Sequence, residues 1–159
     1  MKMNILITGS NGFIGKNLIK YLQKHTDHVI YTFSKNNYLS ELENIIKKID
    51  IVFHFAGINK SEDKIYFEKV NVNLTQRLCD LISQNSNTIL FYASSIQAEL
   101  NNDYGKSKKK GEQICLNLEK QSDNKVYILR LPGIFGNGCK PNYNSVVSTF
   151  CYNIVNKKN

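Results

Sequence analysis

Hydrophobic and polar positions along this chain switch repeatedly between two periods. Met3 to Thr8 is a short apolar run, and after Gly9-Ser10-Asn11-Gly12 helical spacing takes over from Phe13 to Leu22. Val29 to Phe33 reads as a second strand, and Leu39, Leu42, Ile45, Ile46 and Ile49 mark a helix over 39–49. Ile51 to Ala56 is a continuous apolar run, as expected of a parallel strand buried on both faces. Tyr66 to Ile82 carries Val70, Leu74, Leu78 and Leu81 on one side of a long amphipathic helix. Thr88 to Ala93 predicts a buried strand, Tyr104 to Leu118 a helix, and Val126 to Leu131 a further strand. Gly133 to Asn142 is a loop rich in Gly, Asn and Pro, and Ser145 to Val155 has the spacing of a last helix. Strand and helix alternate without an internal repeat or linker, which predicts an α/β fold with a doubly wound parallel sheet and right-handed crossovers. Ligands of such sheets sit at the carboxyl ends of the strands.

The first strand end is the most informative. Gly9-Ser10-Asn11-Gly12-Phe13-Ile14-Gly15 joins an apolar strand to a helix. Residues without a Cβ let backbone approach a pyrophosphate closely, and the helix N-terminus offers free N–H groups and partial positive charge. A tight turn without a ligand is the plainer reading of the same glycines. Their Gly-x-x-Gly-x-x-Gly spacing differs from the Gly-x-Gly-x-x-Gly of ordinary dinucleotide dehydrogenases.

At 159 residues the chain is expected to be one domain, 1–159. No apolar run reaches the roughly 18 residues of a membrane span, and no charged-then-apolar leader precedes the first strand. The expectation is a cytoplasmic protein with no membrane partner. The four cysteines form no CxxC pair, and His25, His28 and His54 stand at no metal spacing, so no metal site is expected. A net charge of +8 raises the question of nucleic acid. The charge is nearly all Lys, spread over helices and loops, with Arg77 and Arg130 the only arginines. Short clusters such as Lys106-Ser107-Lys108-Lys109-Lys110 lack interleaved aromatics for base stacking, so attraction to an anionic nucleotide substrate accounts for the charge better.

Tyr104 and Lys108 stand four apart on one predicted helix face, shortly after a strand ending Ala93-Ser94-Ser95. Tyr31 and Lys35 share the spacing, but Tyr31 lies in a strand. Reduction of a carbonyl needs a proton for the oxygen as hydride reaches the carbon. A tyrosine can give it, a nearby ammonium is expected to lower the tyrosine pKa, and a serine hydroxyl can hydrogen-bond the same oxygen. Ser95, Tyr104 and Lys108 form such a set; the plainer reading is an ordinary helix surface.

With these motifs in order, the chain resembles the extended, sugar-nucleotide branch of the short-chain dehydrogenase/reductases. His54-Phe55-Ala56-Gly57 looks like that family's strand end beside the adenosine half of the cofactor, and Asn71-Val72-Asn73 like the start of its long central helix. Ala93-Ser94-Ser95 and Tyr104–Lys108 resemble its catalytic serine strand and Tyr-x-x-x-Lys pair. Arg130-Leu131-Pro132-Gly133-Ile134-Phe135-Gly136 resembles the segment closing over the nicotinamide. The resemblance implies a Rossmann-like fold with cofactor contacts at Gly9, Gly12, Phe13, Ile14, Gly15, Ala56, Gly57, Asn71, Tyr104, Lys108, Leu131, Gly133 and Ile134.

Ser94-Ser95-Ile96-Gln97-Ala98 and Cys139-Lys140-Pro141-Asn142-Tyr143-Asn144 narrow the likeness to capsular-polysaccharide reductases of UDP-linked 4-keto-6-deoxy-N-acetylhexosamines. Members of that group serve the UDP-N-acetyl-L-fucosamine pathway and carry a cupin domain. A UDP-sugar partner held by Ser95, Gln97, Lys140 and Asn144, and a homodimer of the full-length member, are implied. On this likeness the chain is truncated before the last strand and the substrate-binding lobe, and is expected to be inactive alone.

NAD-binding sheets place an acid after the second strand to hold the ribose 2′-hydroxyl. Here Ser34-Lys35-Asn36-Asn37 follows, with no acid until Glu41, so Ser34 and Lys35 are expected to favour the 2′-phosphate of NADP. Two other functions remain open, a sugar-nucleotide 4-epimerase or dehydratase, with Glu99 or Asp103 as its carboxylate, and an inactive nucleotide-binding fragment.

Overall fold

The computed structural model describes residues 1–158. Five parallel strands, β1 (Asn4–Thr8), β2 (Val29–Phe33), β3 (Ile51–His54), β4 (Ile89–Ser95) and β5 (Lys125–Leu131), lie in the order β2-β1-β3-β4-β5. The order reverses between β1 and β3, and at such a switch point loops leave in opposite directions and open a crevice at the carboxyl ends. Helices α1 (Phe13–His25), α2 (Leu39–Ile46), α4 (Leu74–Ile82) and α5 (Asp103–Gln121) make the crossovers, and α6 (Val146–Val155) follows the last loop. The sheet is that of a Rossmann-like α/β fold.

The core lies on the side of α2, α4 and α5. Leu6, Val52, Leu90 and Tyr92 pack there against Leu42, Ile46, Leu78, Ile82, Cys115 and Leu118. Strand side chains alternate, so Phe53, Phe91 and Tyr127 face the opposite side, where they stack across three strands at 4.8 and 5.0 Å between centroids. Tyr127 is 51% exposed. The expectation that β3 is buried on both faces is therefore corrected: α1 and the 134–137 segment cover only part of this side. They leave a groove of about 530 Å³ lined by Leu18, Tyr21, Phe53, Phe55, Leu129 and Phe135.

The remaining differences from the expected elements are local. The run through Ala56 stops being a strand at His54, while β4 continues past Ala93 because Ser94 and Ser95 pair with Arg130 and Leu131. The helix expected over 66–82 begins as α3 (Ile65–Phe67) and passes through a π-helical stretch, Glu68–Asn73, before α4. A 3₁₀ turn, Ile96–Glu99, unmarked by any period, links β4 to α5. No side chain of α6 is buried.

Gly111 shows how closely α5 sits on the sheet. A Cβ there would lie 2.1 Å from the Tyr92 hydroxyl, which is buried and unpartnered among the described residues. In an open helix Gly→Ala is stabilising. Here Gly111→Ala should cost about 1–3 kcal/mol by overpacking. Adding Tyr92→Phe should restore part of that loss in urea unfolding, whereas additive effects would show that the two groups do not collide.

Candidate functional site

The glycine turn lies across the strand ends. Gly9 has φ +67°, and a Cβ there would fall 2.7 Å from the Ala56 nitrogen, so only glycine lets the turn rest on the Phe55–Ala56 peptide. Gly12 is the N-cap of α1 and supplies no side chain to its first-turn N–H groups. At two other helices the N-cap residue's own side chain does so: the Asn102 side chain accepts from Gly105 N at 2.7 Å, and Ser145 Oγ from Ser148 N at 3.2 Å. Phe13 and Ile14 therefore begin a helix whose N–H groups no cap side chain takes up, the arrangement that suits an anion. Gly15 is buried under this turn.

After β2, the Ser34 hydroxyl donates to Asn37 Oδ1 at 3.1 Å and accepts from Asn36 N at 3.3 Å. Lys35 is exposed on the same turn. Glu41 accepts from Tyr38 N at 2.8 Å and from Asn37 Nδ2 at 3.0 Å, and these bonds hold its carboxyl below its ordinary pKa. The first acid after β2 thus caps α2.

The Ser95, Tyr104 and Lys108 positions converge where α5 crosses the end of β4. Ser95 Oγ accepts from Gln97 N at 3.2 Å, and the half-buried Tyr104 lies near enough for Ser95 to influence its pKa. Lys108, 6% exposed, donates from Nζ to the Ala93 carbonyl at 2.7 Å and stands 5.0 Å above the Tyr92 ring. Burial lowers its pKa to about 8, against the opposing influence of Cys115 and Glu112. A Cβ on Gly57 would lie 3.3 Å from Lys108 Nζ and 3.1 Å from Asn71 Oδ1, so the ends of β3 and β4 meet the π stretch here. The expected lowering of the tyrosine pKa is corrected. Burial raises the Tyr104 pKa, Ser95 opposes that only in part, and the described hydrogen bond of Lys108 goes to Ala93.

Glu112 and Arg130, neither of them expected as a cofactor or catalytic residue, brace this corner. Glu112, 4% exposed and one turn beyond Lys108, accepts from Ser94 Oγ at 2.5 Å and from Arg130 Nε and Nη2 at 2.9 and 2.7 Å. The Arg130 fork and the Ser94 hydroxyl pull its carboxyl pKa down against burial. An acid four residues after Lys108 and an arginine inside the apolar run of β5 were the available signals. Arg130 also pairs with Glu99, and Lys64 pairs with Asp103 at 3.0 Å.

The segment after β5 is looser. Leu131 and Ile134 are half-buried, Gly133 is exposed, and Asn17 Nδ2 on α1 donates to Asn137 O at 3.2 Å. Gln97, Lys140 and Asn144 are exposed, with Asn144 at φ +53°. Gln97 reaches the buried corner through its backbone N–H, which donates to Ser95 Oγ at 3.2 Å, whereas Lys140 and Asn144 lie on the loop between β5 and α6. Among the described residues no His/Cys/Asp/Glu group could hold a metal, and no helix is long and apolar enough to cross a membrane.

A parallel sheet of this topology, with a glycine turn after its first strand, defines a Rossmann-like α/β domain. Residues 5–159 match the NAD dependent epimerase/dehydratase family, and the chain belongs to it. It is 41% identical over 154 residues to a UDP-2-acetamido-2,6-beta-L-arabino-hexul-4-ose reductase of Pseudomonas aeruginosa, a match covering 96% of this chain and 41% of the relative. The fold superposes on the capsular polysaccharide assembling protein CapF of Staphylococcus aureus with a TM-score of 0.83 at 40% identity, over 99% of this chain and 42% of that one. It shares the fold of a Bacillus cereus UDP-glucuronic acid 4-epimerase solved with NAD (TM-score 0.83, 19% identity, 98% and 65% covered). The chain spans about two-fifths of the length of the first two.

Burial of Lys108 has a pH signature. Its folded pKa, about 8, lies below the unfolded value, so between these two pH values the unfolded chain binds more protons and stability rises with pH. Below pH 8 the penalty for burying the ammonium is present in full. Lys108→Met should remove this rise, which urea unfolding at pH 7.5 and at about pH 9.5 would reveal as unequal changes in wild type and variant.

Proposed function

We propose that the chain forms the NADP-binding and proton-relay part of a reductase acting on a UDP-linked 4-keto-6-deoxy-N-acetylhexosamine, in capsule or O-antigen precursor synthesis. The meeting of Gly57, Asn71 and Lys108 beside the Ser95–Tyr104 pair carries the reading. The Pseudomonas reductase and CapF, named above, support the substrate class and the capsule setting.

The residues present suit the cofactor. Uncapped N–H groups at Phe13 and Ile14 and the Cβ-free turn at Gly9, Gly12 and Gly15 would hold the pyrophosphate. Ser34 and Lys35 would face the 2′-phosphate; Ala56, Gly57, Asn71, Tyr104 and Lys108 the ribose side; Leu131, Gly133 and Ile134 the nicotinamide. When bound, the reduced nicotinamide supplies hydride to the ketone carbon. Tyr104 gives its phenol proton to the ketone oxygen, and its raised pKa keeps it protonated until then. The Ser95 hydroxyl, whose oxygen accepts from Gln97 N, donates its own proton in a hydrogen bond to that oxygen. Lys108 holds ribose hydroxyls and balances the negative charge left on Tyr104. Gln97, Lys140 and Asn144 are the contacts this segment offers to the sugar nucleotide. The setting is the cytoplasm, and the longer members of the family would act as homodimers.

Reduction is favoured over dehydration by the nearby carboxylates, since Glu99 pairs with Arg130 and Asp103 with Lys64. NADP is favoured over NAD because Glu41 is occupied in capping α2.

Titration of NADPH fluorescence tests the cofactor. Lys35→Asp should weaken NADPH binding about 10–100-fold and spare NADH, as expected for loss of a charge-assisted phosphate contact. Equal losses would remove Lys35 from the 2′-phosphate, and no NADPH binding by wild type would overturn the reading. The 159 residues supplied with NADPH and the keto sugar nucleotide should show no turnover. Measurable reduction would mean that Gln97, Lys140 and Asn144 are grip enough.

A further inference from the structure

His54 lies under the site and takes no part in the chemistry above. Its ring is 0% exposed, as is Thr75, while Thr8 and Asn71 are each 1% exposed, so their polar atoms must satisfy one another without water. His54 Nδ1 stands 2.6 Å from Thr8 Oγ1, and Nε2 stands 2.9 Å from Thr75 Oγ1. The proton positions follow from the ends of this chain. Thr75 Oγ1 donates its single proton to the Asn71 carbonyl at 2.8 Å, so it can only accept from His54, which places a proton on Nε2. At the other end Thr8 Oγ1 accepts from Ala56 N at 3.2 Å and has its own proton to give, which a bare Nδ1 receives. A doubly protonated ring would leave the Thr8 proton unpaired. Burial and the Lys108 charge both disfavour the cation and lower the pKa to about 3. Tyr92, 5.6 Å away between centroids, is the other titratable group against the ring.

We propose that His54 is a positioning residue, held neutral as the Nε2–H tautomer, that joins the glycine-turn strand to the helix bearing Tyr104 and Lys108. One arm fixes Thr8 and the Ala56 N–H, on which the Gly9 turn rests. The other fixes the carbonyl of Asn71, whose side chain bonds both backbone atoms of Ile58 and donates to Ser107 Oγ at 2.9 Å. Ser107 in turn donates to the Tyr104 carbonyl at 2.7 Å. The two arms give His54 influence over both halves of the site without contact with either ligand.

Nitrogen-15 NMR of the histidine rings in the full chain tests the tautomer directly. One ring should show a protonated Nε2 and a bare Nδ1, unchanged from about pH 5 to pH 8, where free histidine titrates. An Nδ1–H ring, or titration near the ordinary value, would overturn the proposal whether or not the chain binds a cofactor. The positioning role rests on the cofactor reading and is tested by Thr75→Val, which keeps the shape and removes the hydroxyl. It should weaken NADPH binding about tenfold by leaving His54 Nε2–H unpaired, and Thr75→Ser should restore it. Wild-type affinity in Thr75→Val would overturn the role. Failure of wild type to bind NADPH would instead count against the cofactor assignment, with the NMR signature still deciding the tautomer.

Discussion

The docking of α5 onto the carboxyl end of β4 is the constraint on which the site depends. Two polar tethers make it, one helical turn apart: Lys108 Nζ to the Ala93 carbonyl and Glu112 to the Ser94 hydroxyl. Gly111 between them lets the helix close onto Tyr92. Each tether puts a charged group into the interior, which is costly unless it is paired. Glu112 has the Arg130 fork and Ser94; Lys108 has one carbonyl and an aromatic face. The helix is thereby held in one rotation, and that rotation turns Tyr104 toward Ser95.

The sheet explains why the chemistry gathers at one edge. All five strands are parallel, so every loop carrying a candidate residue leaves from the same end. The switch between β1 and β3 opens the crevice, and the Gly9 turn lies on the Ala56 peptide beside it. The opposite edge carries only returns from helices. On the α1 side the aromatic ladder Phe53–Phe91–Tyr127 is covered only in part, and α6 buries none of its apolar side chains, so α2, α4 and α5 enclose the main core.

The strand–helix alternation was legible because parallel strands with helical crossovers read as short apolar runs between amphipathic stretches. The glycine turn and the Tyr104–Lys108 pair were legible for the same local reason: each lies within one helix or one turn. The rest depends on partners far apart in sequence. Arg130 meets Glu112 across 18 positions, and His54 meets Thr8 across 46. No period or spacing marks such pairs. The π stretch was hidden too, since the apolar face of the helix runs on through it; the structure shows Asn71 there turned toward Ile58 and Ser107. The rise of the tyrosine pKa is hidden from spacing, which brings Tyr104 and Lys108 to one helix face but shows neither the burial of Tyr104 nor the bond of Lys108 to Ala93.

The proposed function requires these strand ends to form one continuous cradle for a phosphorylated dinucleotide. Backbone amide NMR of the nitrogen-15-labelled chain during NADPH addition tests it most directly. The largest shift changes should fall on Gly9 to Gly15, Ser34, Lys35, Gly57 and the first turns of α5. Shift changes centred on the exposed Lys106, Lys109 and Lys110 surface, with the glycine turn unmoved, would contradict it.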